Sequence, residues 1–216
     1  MLRSFRITDV VKNLLIINVL MFIATNVQPL ATYHDYLVLW SPFWDASAFP
    51  FGSREGGVGF MGFQLVTHMF MHGDGFHIFF NMLMLVICGP ILESRLGPKK
   101  FFIFYFAAGF GSVGLYILTN YFMMANPHEL YRMLGASGAI YGVMVGAALT
   151  DPNRRIRLII PPIPVRLIYL VGIALTFDVF YGFNTGAESS TAHFAHIGGA
   201  LMGYILLEHI MPKINV

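Results

Sequence analysis

The sequence predicts an all-α polytopic membrane protein that crosses the bilayer six times. Of its 216 residues, 56% are hydrophobic and 11% are charged. The mean hydropathy is +0.67, which is far above the usual range of soluble domains. Turn residues and charged clusters divide the chain into six apolar stretches. These predicted spans are residues 10–27, 76–92, 101–123, 136–150, 163–181 and 191–211.

Two segments outside the spans complete a single predicted membrane domain over residues 1–216. A short tail, residues 1–9, precedes the first span. Residues 29–62 mix aromatic side chains with charges, and their prolines and glycines interrupt any helix. Because this composition suits the lipid headgroup layer, we expect a long loop in the outer interface.

The fourth span is too short to cross the bilayer as a straight helix. It has about 15 residues, or about 22 Å at 1.5 Å per residue, against about 30 Å of hydrocarbon. Its beginning is therefore expected below the outer membrane surface. Irregular backbone at that depth is tolerated where it lines a water-filled cavity, so Ser137 is expected at the floor of a wet pocket that opens outward.

The basic residues predict the orientation of the spans. Six spans place both termini on one side, and eleven of the thirteen lysines and arginines fall on that side, with Arg54 and Arg132 on the other. The positive-inside rule makes the shared side cytoplasmic, so the even-numbered spans descend from the outer face. The formal net charge of +2 gives no indication of a nucleic-acid partner.

Polar residues near the outer ends of the even-numbered spans are candidate catalytic groups. His77 and Asn81 are four residues apart and therefore share one face of the second span. Ser137 begins the fourth span, where exposed backbone N–H groups favour a developing negative charge. His196 lies about one turn into the sixth span. We expect these four residues to meet.

Small residues allow the fourth and sixth spans to approach closely. If their glycine strips touch, His196 comes beside Ser137. The same spacing, taken alone, is also typical of helix packing without any catalytic role. The glycines concerned are Gly135, Gly138, Gly142 and Gly146 around the fourth span and Gly199 and Gly203 in the sixth.

The candidate chemistry is nucleophilic catalysis by a serine. A neutral imidazole within hydrogen-bonding distance can remove a serine proton, so we assign Ser137 as the nucleophile and His196 as its base. The side chains of His77 and Asn81 and the backbone N–H of Ser137 are donors of the kind that an oxyanion requires. The sequence places no acid clearly to orient the base. Asp178, near the outer end of the fifth span, could reach the pocket, but we favour its interpretation as a polar residue at a helix end.

The order of four motifs resembles that of a rhomboid intramembrane serine protease, and the resemblance covers nearly the whole chain. It implies a Ser–His dyad without an acid, a tyrosine packed against the histidine ring, and an oxyanion site that includes His77 and Asn81. It also implies cleavage of single-span membrane proteins near the outer face, with entry past the second and fifth helices. The motifs are His77 and Asn81; Glu93 and Arg95; Gly135, Ser137, Gly138 and Tyr141; and Ala195, His196, Ile197, Gly198 and Gly199.

Further expectations accompany this interpretation. We expect a multi-pass protein of a cell membrane, most naturally a bacterial inner membrane, that meets its substrates in the lipid bilayer and needs no cofactor. Glu93 and Arg95 lie a whole bilayer away from Ser137 and are interpreted as a structural pair at the cytoplasmic end.

Two other functions compete with proteolysis. A non-catalytic protein of the same fold would bind membrane proteins without cutting them. A metal-dependent protein is suggested by the clustered histidines, since histidines four apart on a helix can bind zinc or copper. However, residues 73–75 break the helix between His72 and His77, so we expect no metal centre. His68 and His72 are instead interpreted as hydrogen-bonded anchors of a loop beneath the pocket.

Overall fold

The computed structural model describes residues 6–28, 30–42, 59–123, 132–157, 163–184 and 187–210. These residues form a bundle of α-helices with two short antiparallel strand pairs. About half of the predicted outer loop, mainly residues 43–58, lies outside the described residues, as does the start of the predicted tail.

The longer helices occupy the positions that the apolar stretches predict, whereas two single-turn helices, α2 and α3, lie in and just after the predicted outer loop. They are α1 (Asp9–Thr25), α2 (His34–Leu37), α3 (Gln64–Thr67), α4 (Gly75–Leu96), α5 (Pro98–Met123), α6 (Ser137–Thr150), α7 (Leu167–Asn184) and α8 (Ala187–Ile205). The strands are β1 (Leu39–Trp40), which pairs with β2 (Arg132–Met133), and β3 (Arg155–Arg157), which pairs with β4 (Pro164–Arg166). Residues Leu206–Ile210 extend α8 as a π-helical turn.

The prediction of an all-α polytopic membrane bundle is confirmed. Helices α4, α5 and α7 are each long and apolar enough to cross a membrane. Helix α1 alone is too short to meet the same criterion for a membrane span. It meets the criterion only when it is counted with residues 30–37, which follow it after a sharp bend. The count of six spans therefore stays a prediction.

Helix α6 lies at the centre of the bundle, with α4, α5, α7 and α8 packed around it. It begins at Ser137 and has 14 residues, of which ten are buried. A helix that is apolar on every face is stable only when it is surrounded by other helices or by lipid. At about 1.5 Å per residue its length is roughly 21 Å, so the prediction of a short helix for the fourth span is confirmed.

Glycines bring α6 and α8 into backbone contact. A Cβ atom on Gly199 would overlap the carbonyl oxygen of Gly138, and one on Gly203 would lie 2.6 Å from the Cα of Gly142. The predicted contact between the two glycine strips is therefore present at these two pairs. Gly146 differs, because it faces side chains of α4 and α5 instead of α8.

The C-terminal end of α4 is tied to the start of α1. The buried carboxylate of Glu93 accepts hydrogen bonds from the backbone N–H groups of Val10 (3.0 Å) and Val11 (2.9 Å) and from the hydroxyl of Thr8. These backbone donors have no partner within the first turn of a helix. These bonds support the interpretation of Glu93 as a structural residue, but its partner is α1, and within the described residues it forms no ion pair with Arg95.

Gln64 connects the described parts of the outer segment. Its buried side-chain amide donates to the carbonyls of Tyr36 and Gly59, while its oxygen accepts from the backbone N–H groups of Trp40 and Met61. The hydroxyl of Thr67 also donates to the carbonyl of Leu37 at 2.7 Å. Helix α3 thereby holds β1 in place, and β1 pairs with β2, which precedes α6.

Candidate active site

Ser137 and His196 lie within hydrogen-bonding distance of each other. The distance between Ser137 Oγ and His196 Nε2 is 2.8 Å. Ser137 is the first residue of α6, and the first hydrogen bond into that helix is donated by Ile140 to the carbonyl of Ala136. The backbone N–H groups of residues 137–139 therefore have no partner within the helix and are available near the serine oxygen.

Two neighbours orient the His196 ring. The ring of Tyr141 stacks on it with a centroid distance of 4.5 Å and an angle of 7° between the planes. On the other edge, His196 Nδ1 lies 3.0 Å from Asp178 Oδ1. Because a carboxylate only accepts hydrogen bonds, Nδ1 carries the proton and the Nε2 lone pair faces Ser137.

The interpretation of Asp178 as a polar residue at a helix end is wrong. Its side chain is only 5% exposed, and it completes a hydrogen-bonded series from Asp178 through His196 to Ser137. The sequence did contain a usable signal: Asp178 is the sole charged residue between positions 167 and 184. An ionisable residue inside an apolar span is a candidate functional residue by default.

Asp178 has a second histidine partner. His193 Nδ1 lies 2.7 Å from the same oxygen, Asp178 Oδ1. The Tyr181 ring stacks on His193 with a centroid distance of 5.8 Å. Asp178, His193 and His196 together have a geometry that could hold a metal ion.

His77 and Asn81 line the same cavity as Ser137 and present hydrogen-bond donors to it. The Gly73 N–H points to His77 Nδ1 over a long 3.5 Å, which favours the tautomer with the ring proton on Nε2. A Cβ on Gly135 would lie 2.8 Å from His77 Nε2 and 3.6 Å from Ser137 Oγ, so this nitrogen borders the space next to the serine. Gly135 has φ +120°, a conformation that favours glycine. Asn81 is buried, and its Nδ2 has no partner among the described residues.

His68 is a hydrogen-bonded anchor, as the sequence predicts, whereas His72 is held mainly by burial beside His77 and the backbone of Phe70. His68 Nδ1 donates to the Gln64 carbonyl at 2.7 Å, and the His68 carbonyl accepts from the Gly135 N–H at 2.9 Å. Neither ring nitrogen of His72 has a partner within the described ranges, and its ring packs edge-on against His77. Burial lowers the pKa of His68 and of His72 to about 4, so both rings are neutral near pH 7.

A cavity of about 1110 Å³ connects the candidate catalytic residues to the space between α4 and α7. Ser137, His196, His77 and Asn81 all line it, together with apolar side chains of α4, α6 and α7. A second cavity of about 380 Å³ reaches Ser137 and His196 from the side of Gly73 and Leu134. The four sequence-predicted residues therefore share one accessible space.

Together, the fold and the site define a class of protein. A hydroxyl, an imidazole and a carboxylate in one hydrogen-bonded series, beside unpaired N–H donors, form the arrangement that serine hydrolases use. Here that arrangement is built into an apolar helix bundle of a multi-pass membrane protein.

The comparison with known proteins agrees with this class. The family model described as "Rhomboid domain" matches residues 60–212. The chain is 30% identical to RHOMBOID-like protein 6, mitochondrial, of Arabidopsis thaliana over 66% of this chain and 42% of that protein. It is 29% identical to Rhomboid protease GluP of Bacillus subtilis (strain 168) over 76% of this chain and 29% of that protein. It is 28% identical to Rhomboid protease AarA of Providencia stuartii over 68% of this chain and 58% of that protein.

The chain belongs to the rhomboid family, because the family model covers more than half of it. The chain spans between 29% and 58% of the length of these relatives. Two of the three are named as proteases, and family membership supports an intramembrane protease activity.

Proposed function

We propose that this chain is an intramembrane serine endopeptidase that hydrolyses peptide bonds in or near transmembrane segments of other membrane proteins. The observation that carries the proposal is the 2.8 Å distance between Ser137 Oγ and His196 Nε2 at the beginning of a short, buried helix. A serine and an imidazole within hydrogen-bonding distance, with the imidazole oriented by a third group, are the signature of an activated nucleophile.

In the proposed reaction, Ser137 Oγ attacks the substrate carbonyl carbon while its proton passes to His196 Nε2. The resulting imidazolium is stabilised by Asp178 across the 3.0 Å hydrogen bond. The imidazolium then donates the proton to the leaving amine nitrogen, which breaks the peptide bond and leaves an acyl-serine. Water attacks the acyl carbon with His196 as base again, and the proton returns to Ser137 Oγ.

Three groups are proposed to stabilise the tetrahedral intermediate. The Nε2–H of His77, the Nδ2 of Asn81 and the backbone N–H of Ser137 border the space in which the oxyanion forms. The buried Asn81 Nδ2 supports this role, because a buried donor without a protein partner is costly unless a ligand satisfies it. Each such donor typically contributes on the order of a hundredfold in rate.

The larger cavity supports entry of a transmembrane substrate between α4 and α7. Apolar residues such as Phe80 and Met84 of α4 and Leu170 and Ala174 of α7 line it, and it continues to Ser137. A substrate helix that loosens near its outer end could lie along this groove with its scissile bond at the serine. The proposed substrates are therefore single-span membrane proteins, met from within the lipid bilayer.

The proposed location is a cell membrane with both termini in the cytoplasm. In that orientation α4, α6 and α8 descend from the outer face, so Ser137 lies nearer that face. The basic residues at the opposite ends of these helices support this arrangement.

The test uses the full chain, purified in detergent and incubated with a fluorescently labelled single-span membrane protein. We expect cleavage by the natural chain and a loss of at least about a thousandfold in Ser137→Ala and in His196→Ala. The matched controls are Ser94→Ala and His209→Ala, because both positions are exposed and lie at the other end of their helices. Both controls should cleave at the rate of the natural chain. A chelator should not reduce that rate, whereas it would inhibit a metal-dependent enzyme.

Two outcomes would contradict the proposal. Cleavage that persists in Ser137→Ala would exclude the serine mechanism. Association with the substrate without any cleavage would instead favour a non-catalytic binder of the same fold.

A further inference from the structure

Asp178, His193 and His196 bring three metal-ligating atoms together. Oδ1 of Asp178 lies 2.7 Å from His193 Nδ1 and 3.0 Å from His196 Nδ1. All three ligand atoms lie within 4.8 Å of one another. Imidazole nitrogens and a carboxylate oxygen are ligands that Zn²⁺ prefers, and three protein ligands with one open position form a common zinc site.

We propose that these three residues form a reversible Zn²⁺ site that inhibits the enzyme when it is filled. Zinc bonds of about 2.0–2.1 Å in tetrahedral geometry place the ligand atoms about 3.3 Å apart. The two separations from Asp178 Oδ1, 2.7 Å and 3.0 Å, are shorter than that distance, and the two histidine Nδ1 atoms lie within 4.8 Å of each other. In the proposed site, the two rings rotate away from the carboxylate until all three ligand atoms lie at zinc-binding distance.

The surrounding helices arrange these residues for such a site. His193 and His196 are three residues apart on α8 and so project from one face toward α7. Stacking on Tyr181 and Tyr141 restricts the two rings. The imidazole side chains are 26% and 24% exposed, whereas Asp178 is 5% exposed, so an ion can approach from the histidine side.

Zinc at this position changes which nitrogen of His196 carries the proton. In the metal-free site Nδ1–H donates to Asp178, and the Nε2 lone pair accepts from Ser137. When zinc takes the Nδ1 lone pair, the proton of the neutral ring moves to Nε2, so no proton is gained or lost. An Nε2–H can donate to Ser137 Oγ but cannot remove its proton. The serine therefore loses its base.

The inhibitory effect rests on the proposed function, but zinc binding itself does not. A simpler role for His193 is to supply one more hydrogen bond to a buried carboxylate. That role predicts no stoichiometric zinc binding that depends on His193. Binding and inhibition are therefore measured separately.

The experiment uses the full chain in detergent, treated with a chelator that is then removed. Isothermal titration with Zn²⁺ alone should give one site per chain in the natural protein and in the control His209→Gln, whose exposed histidine lies at the far end of the same helix. In His193→Gln the affinity should fall at least tenfold. The variant His193→Ala and a thermal melt of each protein test whether a change reflects misfolding.

Inhibition is scored as the ratio of cleavage rates with and without Zn²⁺ in the same protein. We expect at least a tenfold reduction in the natural chain and in His209→Gln, reversed by chelator, and little reduction in His193→Gln at the same Zn²⁺ concentration. Equal zinc affinity in His193→Gln and the natural chain, or equal inhibition of both, would overturn the inference while the proposed protease activity stood. Zinc binding that depends on His193 in a chain that cleaves nothing would support the metal site and remove the proposed function.

Discussion

One carboxylate oxygen of Asp178 lies 3.0 Å from Nδ1 of His196 and thereby selects the tautomer in which Nε2 faces Ser137. A Ser–His pair without an acid would depend on ring packing alone for that orientation. In this chain α7 supplies the acid and α6 supplies the stacking tyrosine. The carboxylate and the tyrosine therefore orient the same ring from different sides.

Replacement of Asp178 by alanine should slow cleavage without abolishing it. The stack on Tyr141 remains, but the ring loses its fixed tautomer and the carboxylate that stabilises the imidazolium, so kcat/KM should fall about tenfold to a hundredfold. Steady-state kinetics with the labelled substrate measure the effect. The control is Asp9→Ala, whose carboxylate is exposed at the other side of the bundle. Unchanged kcat/KM in Asp178→Ala would mean that the acid has no catalytic part.

The contact between Gly199 and Gly138 should not tolerate one added methyl group. In Gly199→Ala the new Cβ would meet the carbonyl oxygen of Gly138, and backbone cannot move aside as a flexible side chain can. We expect a loss of about 2–3 kcal/mol in unfolding free energy and at least a tenfold loss of cleavage, because α8 carries His196 away from Ser137. Thermal melting and cleavage assays measure the two effects.

The matched control for that substitution is Gly172→Ala on α7. No atom lies within 4 Å of the Cβ that this change would add. Alanine also has a helix propensity about 1 kcal/mol better than that of glycine, so this variant should melt at the same temperature as the natural chain or higher. If both variants lost stability equally, the effect would come from glycine flexibility and not from the helix contact.

Much of this architecture follows from the sequence for identifiable physical reasons. Apolar stretches of limited length have few alternatives to helices in a membrane. The short fourth span predicts a buried beginning for α6, and the spacing of Gly199 and Gly203 predicts the contact that brings His196 beside Ser137. In each case a single local pattern determines the outcome.

The features that the sequence did not predict depend on how the helices rotate against each other. Helix α7 is apolar on nearly every face, so no periodicity indicates which way Asp178 points; packing against α8 decides it. The pairing of Glu93 with Arg95 could have been rejected, because residues two apart on a helix do not face each other. The bond from Glu93 to α1 joins residues more than 80 positions apart, which no local pattern reveals.

Glu93 should stabilise the fold without taking part in the chemistry. Glu93→Ala leaves the backbone N–H groups of Val10 and Val11 without their acceptor, and we expect a loss of about 2–3 kcal/mol in unfolding free energy. Arg95→Ala should change it by less than about 1 kcal/mol, since Glu93 binds α1 instead. Chemical or thermal unfolding of both variants provides the comparison. Similar losses of unfolding free energy in the two variants would indicate that Glu93 and Arg95 interact with each other after all.

The buried ring of His68 should make the fold less stable in mild acid. Burial lowers its pKa from 6.5 to about 4 in the folded chain, so between these values the unfolded chain binds more protons than the folded chain. Stability from the neutral ring is therefore complete above pH 6.5 and falls as the pH drops toward 4. At pH 5 the loss from this one group is about 2 kcal/mol relative to pH 8.

The variant His68→Gln isolates this contribution, because glutamine can still donate to the carbonyl of Gln64 but does not titrate. Melting temperatures of both proteins are measured at pH 8 and at pH 5. The natural chain should lose more stability between these values than the variant does, and His209→Gln, which removes an exposed ring, should behave like the natural chain. Equal losses of stability in His68→Gln and the natural chain would show that the buried ring of His68 does not cause the acid sensitivity of the fold.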